Sequence, residues 1–193
     1  AALMSLSAAG PILFDAPWVL ASESWRTPGG IEAIQLASDL SGHVLMIPLC
    51  TVLAIVFALK DRRAGAFFAL AVGGSALFNE SIKLFFARPR PSIVERVYEP
   101  HGLSFPSGHS QASMAFALAV FFVVRRVWPS QRRWAALLFL FPLFIGWTRT
   151  YLGVHYPSDV MAGFLLAAVW VVSMDAWAVR VQPTAPEPSA PKP

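Results

Sequence analysis

The chain is divided into apolar runs long enough to cross a lipid bilayer, and its charged residues fall mainly in the short stretches between them. The run 43–59 would be about 25 Å long as a helix, which just spans the hydrocarbon region. Four charged residues at 60–63 end this run. Only 13% of the residues are charged, whereas soluble domains contain about 25%. The pattern therefore predicts an integral membrane protein.

Four further apolar runs predict four more spanning helices, at residues 64–87, 108–124, 134–148 and 159–179. Pro142 lies inside one of these runs and is expected to kink its helix. The stretch 88–106 contains five prolines or glycines and no periodicity, which is typical of a loop. The predicted fold class is all-α, a polytopic membrane helix bundle with five clear transmembrane helices.

The two ends of the chain differ from this pattern. Residues 1–14 are apolar but short, and we favour the remnant of a first spanning helix over a processed signal or an interfacial segment. Residues 15–42 mix tryptophans with charges and are broken by Pro-Gly-Gly at 28–30, which suits short interfacial helices better than an ordinary loop. The membrane domain is expected to cover 1–181, and the Pro-rich tail 182–193 to be disordered.

Lysine and arginine are distributed unequally between the two ends of the predicted helices. One side carries nine of them, namely Lys60, Arg62, Arg63, Arg125, Arg126, Arg132, Arg133, Arg180 and Lys192. The other side carries five, namely Arg26, Arg88, Arg90, Arg96 and Arg149. Because the more basic side usually faces the cytoplasm, we expect the loops 88–106 and 149–158 on the extracytoplasmic, periplasmic side of the cytoplasmic membrane.

Two features exclude other classes of protein. The single cysteine, Cys50, lies inside an apolar run, so neither an intramolecular disulfide nor a cysteine metal cluster is expected. The net charge is only +4, and no basic surface interleaved with aromatic residues indicates a nucleic-acid partner.

Three polar clusters stand out at the ends of the apolar runs, and the first contains Lys83 and Arg90. Prolines on both sides of Arg90 break the helix, so that its guanidinium can fold back beside the Lys83 ammonium and hold an anion with it. Anchoring to lipid headgroups is the alternative reading of both residues. Glu80 lies one turn before Lys83 and is expected to pair with it.

The second cluster, Pro106-Ser107-Gly108-His109, opens the third run. Proline and serine suit a helix start, and a glycine there lets the backbone amides approach an anion. Ser107 can donate one more hydrogen bond, and the imidazole of His109 can give a proton to a leaving oxygen. A capped helix with a solvated histidine is the alternative.

The third cluster is Arg149, His155 and Asp159. A spacing of four residues places Asp159 and His155 on one face of a helix, where the carboxylate can fix the tautomer of the imidazole and leave its other nitrogen free to attack. Asp159 is equally suited to cap the helix after Pro157-Ser158, and the two roles do not exclude each other.

In this order and spacing the clusters resemble the signature of the type 2 phosphatidic acid phosphatase and haloperoxidase superfamily. That signature reads Lys-x6-Arg-Pro, then Pro-Ser-Gly-His, then Ser-Arg-x5-His-x3-Asp, and the chain matches it at 83–91, 106–109 and 148–159. The one departure is Thr148 in place of the serine, and it keeps a hydroxyl. The hydrophobic layout extends the resemblance to the bacterial membrane lipid phosphatases over roughly 15–180.

The resemblance implies a role for each motif residue. His155 would attack phosphorus and form a phosphohistidine, Asp159 would orient it, and His109 would protonate the leaving group before water hydrolyses the intermediate. The phosphate would be held by the remaining motif residues, Lys83, Arg90, Ser107, Gly108 and Arg149. No metal and no other cofactor is implied, and His101 has no role in the motifs.

The expected partners are the bilayer and a phosphorylated lipid. Undecaprenyl pyrophosphate, phosphatidylglycerol phosphate and phosphatidic acid are the candidate substrates. One alternative is a vanadate-type haloperoxidase, but those enzymes are soluble and the apolar runs argue against it. The other is a non-enzymatic protein that binds or transports phospholipid, which would not need an intact nucleophile, acid and orienting carboxylate.

Overall fold

The computed structural model describes residues 11–12, 14–98, 100 and 102–180, which form helices and connecting loops without a β-strand among them. The helices are α1 Asp15–Ser24, α2 Pro28–Asp39, α3 His43–Lys60, α4 Arg62–Phe86, α5 Gly108–Val127, α6 Arg132–Ala136, α7 Leu140–Tyr151 and α8 Pro157–Arg180. The all-α prediction is confirmed. The predictions for residues 1–10, for the tail from 182 and for His101 lie outside the described residues.

Four segments of the described chain are long and apolar enough to cross a membrane, namely Pro28–Lys60, Arg62–Phe86, Gly108–Val127 and Pro157–Arg180. They coincide within a few residues with the predicted runs except 134–148, which a 3₁₀ turn at Leu137–Phe139 divides between α6 and α7. The count of five spanning helices is therefore not confirmed. Pro142 accounts for the interruption, because it has no N–H to donate to the carbonyl of Leu138 one turn earlier.

Helices α4, α5 and α8 form the centre of the bundle. Small side chains fill their contacts, and Ala71, Ala115, Ala119 and Ala167 are completely buried. Between membrane helices such residues permit close backbone approach, and association there depends on packing rather than on the hydrophobic effect. The three helices carry Lys83, His109 and Asp159, so their packing fixes the relative positions of the three motifs.

The segment predicted as interfacial, 15–42, contains the short helices α1 and α2. Thr27 caps α2, since its Oγ1 accepts a hydrogen bond from the Gly30 amide at 3.2 Å. Both helices contact α7, and α1 also contacts α8. Asp15 on α1 and Ser38 on α2 are completely buried. The N-terminal helices are thus packed into the bundle through polar residues, which the amphipathic pattern did not predict.

At the end of the bundle opposite the motifs, an ion-pair cluster joins α5 to α8. Asp175 Oδ1 lies 2.6 Å from Arg126 Nη2, and its Oδ2 lies 3.2 Å from Arg125 Nη2. Asp175 is largely buried. The cluster therefore holds the far ends of the two helices whose near ends carry His109 and Asp159.

Candidate active site

The second and third motifs meet where the first turns of α5 and α8 touch. The Ser107 amide donates to the Asp159 carbonyl at 3.0 Å. One turn further along α8, a Cβ added at Gly163 would lie only 2.8 Å from the Ser107 carbonyl oxygen. The absence of a side chain at Gly163 therefore allows the two helix starts to approach this closely.

His155 lies in the connection between α7 and α8 and is 2% exposed. Its Nδ1 is 3.4 Å from Ser104 Oγ and 3.6 Å from Asp159 Oδ2, and its Nε2 is 3.0 Å from Arg90 Nη1. The hydroxyl and carboxylate favour the proton on Nδ1, which leaves the Nε2 lone pair toward the Arg90 guanidinium.

The surroundings of His155 keep its imidazole neutral. Burial, joined by the positive charges of Arg90 and Arg149, lowers the pKa of His155 to about 4, and the nearby Asp159 carboxylate opposes this shift only in part. A neutral imidazole with a free lone pair is the form that can act as a nucleophile.

Asp159 is fully buried in the first turn of α8, and both of its carboxylate oxygens accept hydrogen bonds. Oδ2 accepts from Ser104 Oγ at 2.6 Å and from the Tyr156 amide at 2.9 Å, while Oδ1 accepts from Arg88 Nη1 at 2.6 Å. The bond to Tyr156 is that of an acidic residue at the third helical position reaching back to the N-cap amide. Asp159 therefore caps α8 and faces His155 at the same time.

Arg90 and Arg149 bring two guanidinium groups close to His155. Arg90 donates to the carbonyls of Gly102 at 3.1 Å and Val154 at 3.0 Å. Burial and the charge of Arg149 lower the pKa of Arg90 to about 10, so it remains a cation at neutral pH. Their mutual repulsion favours an anion between them.

Arg149 is almost completely buried at the end of α7. Its Nη1 donates to Ser38 Oγ at 2.7 Å and its Nη2 donates to Tyr98 Oη at 2.6 Å, while its Nε has no hydrogen-bond partner. Thr148, the one departure from the family signature, also donates to Ser38, at 3.1 Å. One serine of α2 thus contacts two consecutive residues of the third motif.

Lys83, Gly108 and Ser107 meet at the start of α5. Lys83 Nζ lies 3.4 Å from the position that a Cβ on Gly108 would occupy, and it also forms the predicted ion pair with Glu80, at 2.9 Å. Ser107 is the buried N-cap of α5, and its hydroxyl makes no side-chain capping bond but accepts from Ser110 at 3.0 Å. The backbone amides at the start of α5 therefore lie near the Lys83 ammonium and the Ser107 hydroxyl.

His109 follows in the first turn of α5 and is half-buried. The positive charges of Arg149, Lys83 and Arg90 act on it together with His155. The structure thus brings all eight motif residues predicted from the sequence into one cluster around the starts of α5 and α8.

Sequence reasoning missed the residues that support this cluster, namely Asp15, Ser38, Arg88, Tyr98, Ser104 and Ser158. Arg88 had a weak signal, since it is a second arginine directly before a proline, two residues before Arg90. The others have none, because their partners lie more than 50 residues away along the chain.

The chemistry rather than the surface shape identifies the site. A groove at the opposite end of the bundle lies between Phe67 of α4 and Trp177 of α8, and Arg63 is its one charged lining residue. Among the described residues, no group of three or more histidine, cysteine, aspartate or glutamate side chains is placed to hold a metal ion. The absence of a metal from the reaction stays a prediction.

Comparisons with known proteins show the family to which the chain is similar. A family model described as the PAP2 superfamily matches residues 64–183, which include all three motifs. Phosphatidylglycerophosphatase B of Bacillus subtilis (strain 168) is 29% identical over 147 residues, which are 73% of this chain and 71% of that protein. The putative undecaprenyl-diphosphatase YbjG of Escherichia coli (strain K12) is 30% identical over 164 residues, 82% of this chain and 73% of that protein.

A solved structure has the same fold. The transmembrane PAP2-type phosphatidylglycerolphosphate phosphatase from Bacillus subtilis superposes with a TM-score of 0.77 at 22% identity, covering 88% of this chain and 86% of that one. At this level of identity the match establishes the fold, an integral membrane helix bundle.

Proposed function

Because the chain belongs to the PAP2 superfamily and is therefore a membrane phosphatase, we propose that it removes phosphate from a lipid headgroup through a covalent intermediate on His155. The observation that carries the proposal is the environment of His155. Its Nδ1 faces Asp159 Oδ2 at 3.6 Å, and its Nε2 lies 3.0 Å from a guanidinium nitrogen of Arg90. The nucleophilic nitrogen is therefore already beside a group that can hold a phosphate oxygen.

The first step is attack of His155 Nε2 on phosphorus. The N–P bond forms as the bond to the leaving oxygen breaks, and that oxygen takes a proton from His109. Asp159 stabilises the positive charge that develops on the imidazole. The Arg90 hydrogen bond moves from Nε2 to a phosphate oxygen as the substrate enters.

The second step is hydrolysis of the phosphohistidine. His109, now neutral, takes a proton from water as the water oxygen attacks phosphorus, and the N–P bond returns its electron pair to His155. Inorganic phosphate leaves and both histidines regain their starting forms. In both steps Lys83, Arg149 and the amide at Gly108 stabilise charge on the equatorial oxygens.

The substrate that fits best is a lipid whose tail remains in the bilayer. Polyprenyl pyrophosphate, phosphatidylglycerol phosphate and phosphatidic acid all present a terminal phosphate on such a tail, and the names of the similar proteins include the first two classes. The excess of lysine and arginine at the other end of the bundle supports an extracytoplasmic site.

Phosphate release by the detergent-purified protein in excess EDTA tests the proposal. We expect release from at least one of the three lipids, and a loss of at least about 1,000-fold in His155→Ala, since charge stabilisation without the nucleophile leaves little turnover. Exposed His43 provides a matched control, and His43→Ala is expected to keep full activity.

Trapping of the intermediate completes this test. Each protein is mixed with a lipid labelled in its terminal phosphate, and the reaction is quenched in alkali. The label is expected on the wild type and on His43→Ala but not on His155→Ala. Absence of release from every lipid by folded wild-type protein, or full activity of His155→Ala, contradicts the proposal.

A further inference from the structure

A buried arginine outside the three motifs bridges two buried carboxylates. Arg88 Nη1 lies 2.6 Å from Asp159 Oδ1, and Arg88 Nη2 lies 2.9 Å from Asp15 Oδ2. Both carboxylates are fully buried and Arg88 is 6% exposed. Charges so far from water interact strongly, and removal of one partner leaves the other uncompensated.

Ser158 closes this arrangement into a ring. Its amide donates to Asp15 Oδ1 at 3.0 Å, and its hydroxyl donates to Asp15 Oδ2 at 2.7 Å and accepts from Arg88 Nη1 at 2.8 Å. The guanidinium also lies 4.6 Å above the ring of Tyr156. Helix α1 is therefore fastened, through Asp15, to the first turn of the helix that carries Asp159.

We propose that Arg88 and Asp15 are positioning residues, which orient the Asp159 carboxylate toward His155 and set the net charge that surrounds the imidazole. Arg88 holds Oδ1 of the Asp159 carboxylate, and this directs Oδ2 toward the Nδ1 of His155. Asp15 in turn holds the other end of the guanidinium. The activity readouts below rest on the proposed function, whereas the titration does not.

The two residues influence His155 in opposite directions. Asp15, Arg88 and Asp159 together carry one net negative charge. Arg88→Gln makes this −2, Asp15→Asn makes it zero, and the double variant restores −1. More negative charge around His155 raises the pKa of its imidazole, and less negative charge lowers it. We expect each single variant to shift this pKa by on the order of one unit.

Other titratable groups around His155 are not substituted in these variants. Among the described residues they include Arg149 on α7, His109 on α5 and Arg90 in the loop after α4. Their constant contribution cancels when the variants are compared with the wild type.

The first experiment is a nuclear magnetic resonance titration of protein labelled with ¹⁵N-histidine, in which the His155 signal is assigned by its loss in His155→Ala. We expect a higher midpoint in Arg88→Gln, a lower midpoint in Asp15→Asn, and a midpoint near that of the wild type in the double variant. Equal midpoints, or shifts of the two single variants in the same direction, overturn the inference. This readout holds even if the protein hydrolyses none of the lipids offered.

The second experiment measures kcat and KM separately. We expect kcat to fall by about 10- to 100-fold in Arg88→Gln and in the double variant, comparable with the loss on removing the hydrogen-bond partner of a metal-ligating histidine, while KM changes little. Arg88→Lys keeps the charge but cannot bridge two carboxylates, so we expect only part of kcat to return. A kcat within about twofold of the wild type in Arg88→Gln overturns the inference.

Folding is controlled in parallel. Arg132→Gln removes an exposed arginine at the opposite end of the bundle and is expected to leave the His155 midpoint and kcat unchanged. If Arg88→Gln fails to fold, the double variant and Asp15→Asn still decide the inference. A midpoint in Asp15→Asn that equals or exceeds the wild-type value then overturns it.

Discussion

At the residue scale, burial keeps the imidazole of His155, the proposed nucleophile, in its neutral form. A solvated imidazole titrates near pH 6.5, but burial and the charges of Arg90 and Arg149 lower the pKa of His155 to about 4. The lone pair of Nε2 is therefore still available between about pH 4 and pH 6.5, where most of a solvated histidine would be protonated. With His155 as the proposed nucleophile, activity is expected above the lowered pKa and is expected to be lost as the pH falls through it.

We predict that the acid limb of kcat/KM, which reports groups of the free enzyme, has its midpoint near pH 4 and not near pH 6.5. The measurement is a pH profile with two substrates whose phosphate groups have different pKa values, because a limb caused by the substrate moves between them and one caused by His155 does not. A substrate-independent midpoint between pH 6 and 7 contradicts the prediction.

Sequence spacing predicted the residues that are proposed to touch phosphate but not those that hold them. Arg149 could be predicted from its motif, whereas its partner Ser38 lies 111 residues away. Asp159 could be predicted in the same way, but its link through Arg88 to Asp15 joins positions separated by 71 and 73 residues. A pair of side chains that meets only after folding leaves no local periodicity in the sequence.

At the scale of the helices, the approach of α8 to α5 depends on Gly163. A Cβ there would lie 2.8 Å from the Ser107 carbonyl and 3.1 Å from the Gln111 amide, both of which are backbone atoms that cannot rotate away. The helix starts would have to separate, and the contact between the second and third motifs would loosen.

We predict that Gly163→Ala lowers both thermal stability and kcat, with a stability cost of about 1–3 kcal/mol typical of overpacking. Gly73→Ala on α4 is the matched control, because its added Cβ would meet no atom within 4 Å apart from the neighbouring backbone of its own helix. There alanine is expected to stabilise the helix by about 0.4–1 kcal/mol. Unfolding in detergent and initial rates test both variants, and equal effects at the two glycines would contradict the argument.

The helix boundaries show where sequence reasoning was sufficient. Apolar runs located α3, α4, α5 and α8 to within a few residues, since hydrophobic length alone determines them. The run 134–148 was predicted as one helix, although Pro142 marked the weak point at which the hydrogen-bond ladder fails. Its division into two short helices follows from this missing hydrogen bond, which apolar length alone does not encode.

At the scale of the whole molecule, the motifs and the dense basic charges occupy opposite ends of the bundle. Ser92 is exposed in the loop that carries Arg90, and Ser130 is exposed in the turn between α5 and α6. These two serines therefore report the two sides of the membrane.

We predict that, in a Cys50→Ala background, a membrane-impermeant thiol reagent labels Ser92→Cys in intact cells and labels Ser130→Cys only after the cells are permeabilised. The expectation follows from the lysine and arginine asymmetry. Both variants should release phosphate at the wild-type rate, which verifies the fold. The reverse labelling pattern would place the site in the cytoplasm and exclude an extracytoplasmic substrate.

The bond between Ser158 and Asp15 spans 143 residues, and this separation has a consequence for biosynthesis. The ribosome makes α1 among the first of the described helices, but the partner of α1 emerges only when α8 begins. Long-range contacts of this kind form late, after the intervening chain has been ordered. A nascent chain that stops before α8 has neither Asp159 nor the Ser158 that holds α1, so we expect it to release no phosphate until α8 has been made and α1 has docked.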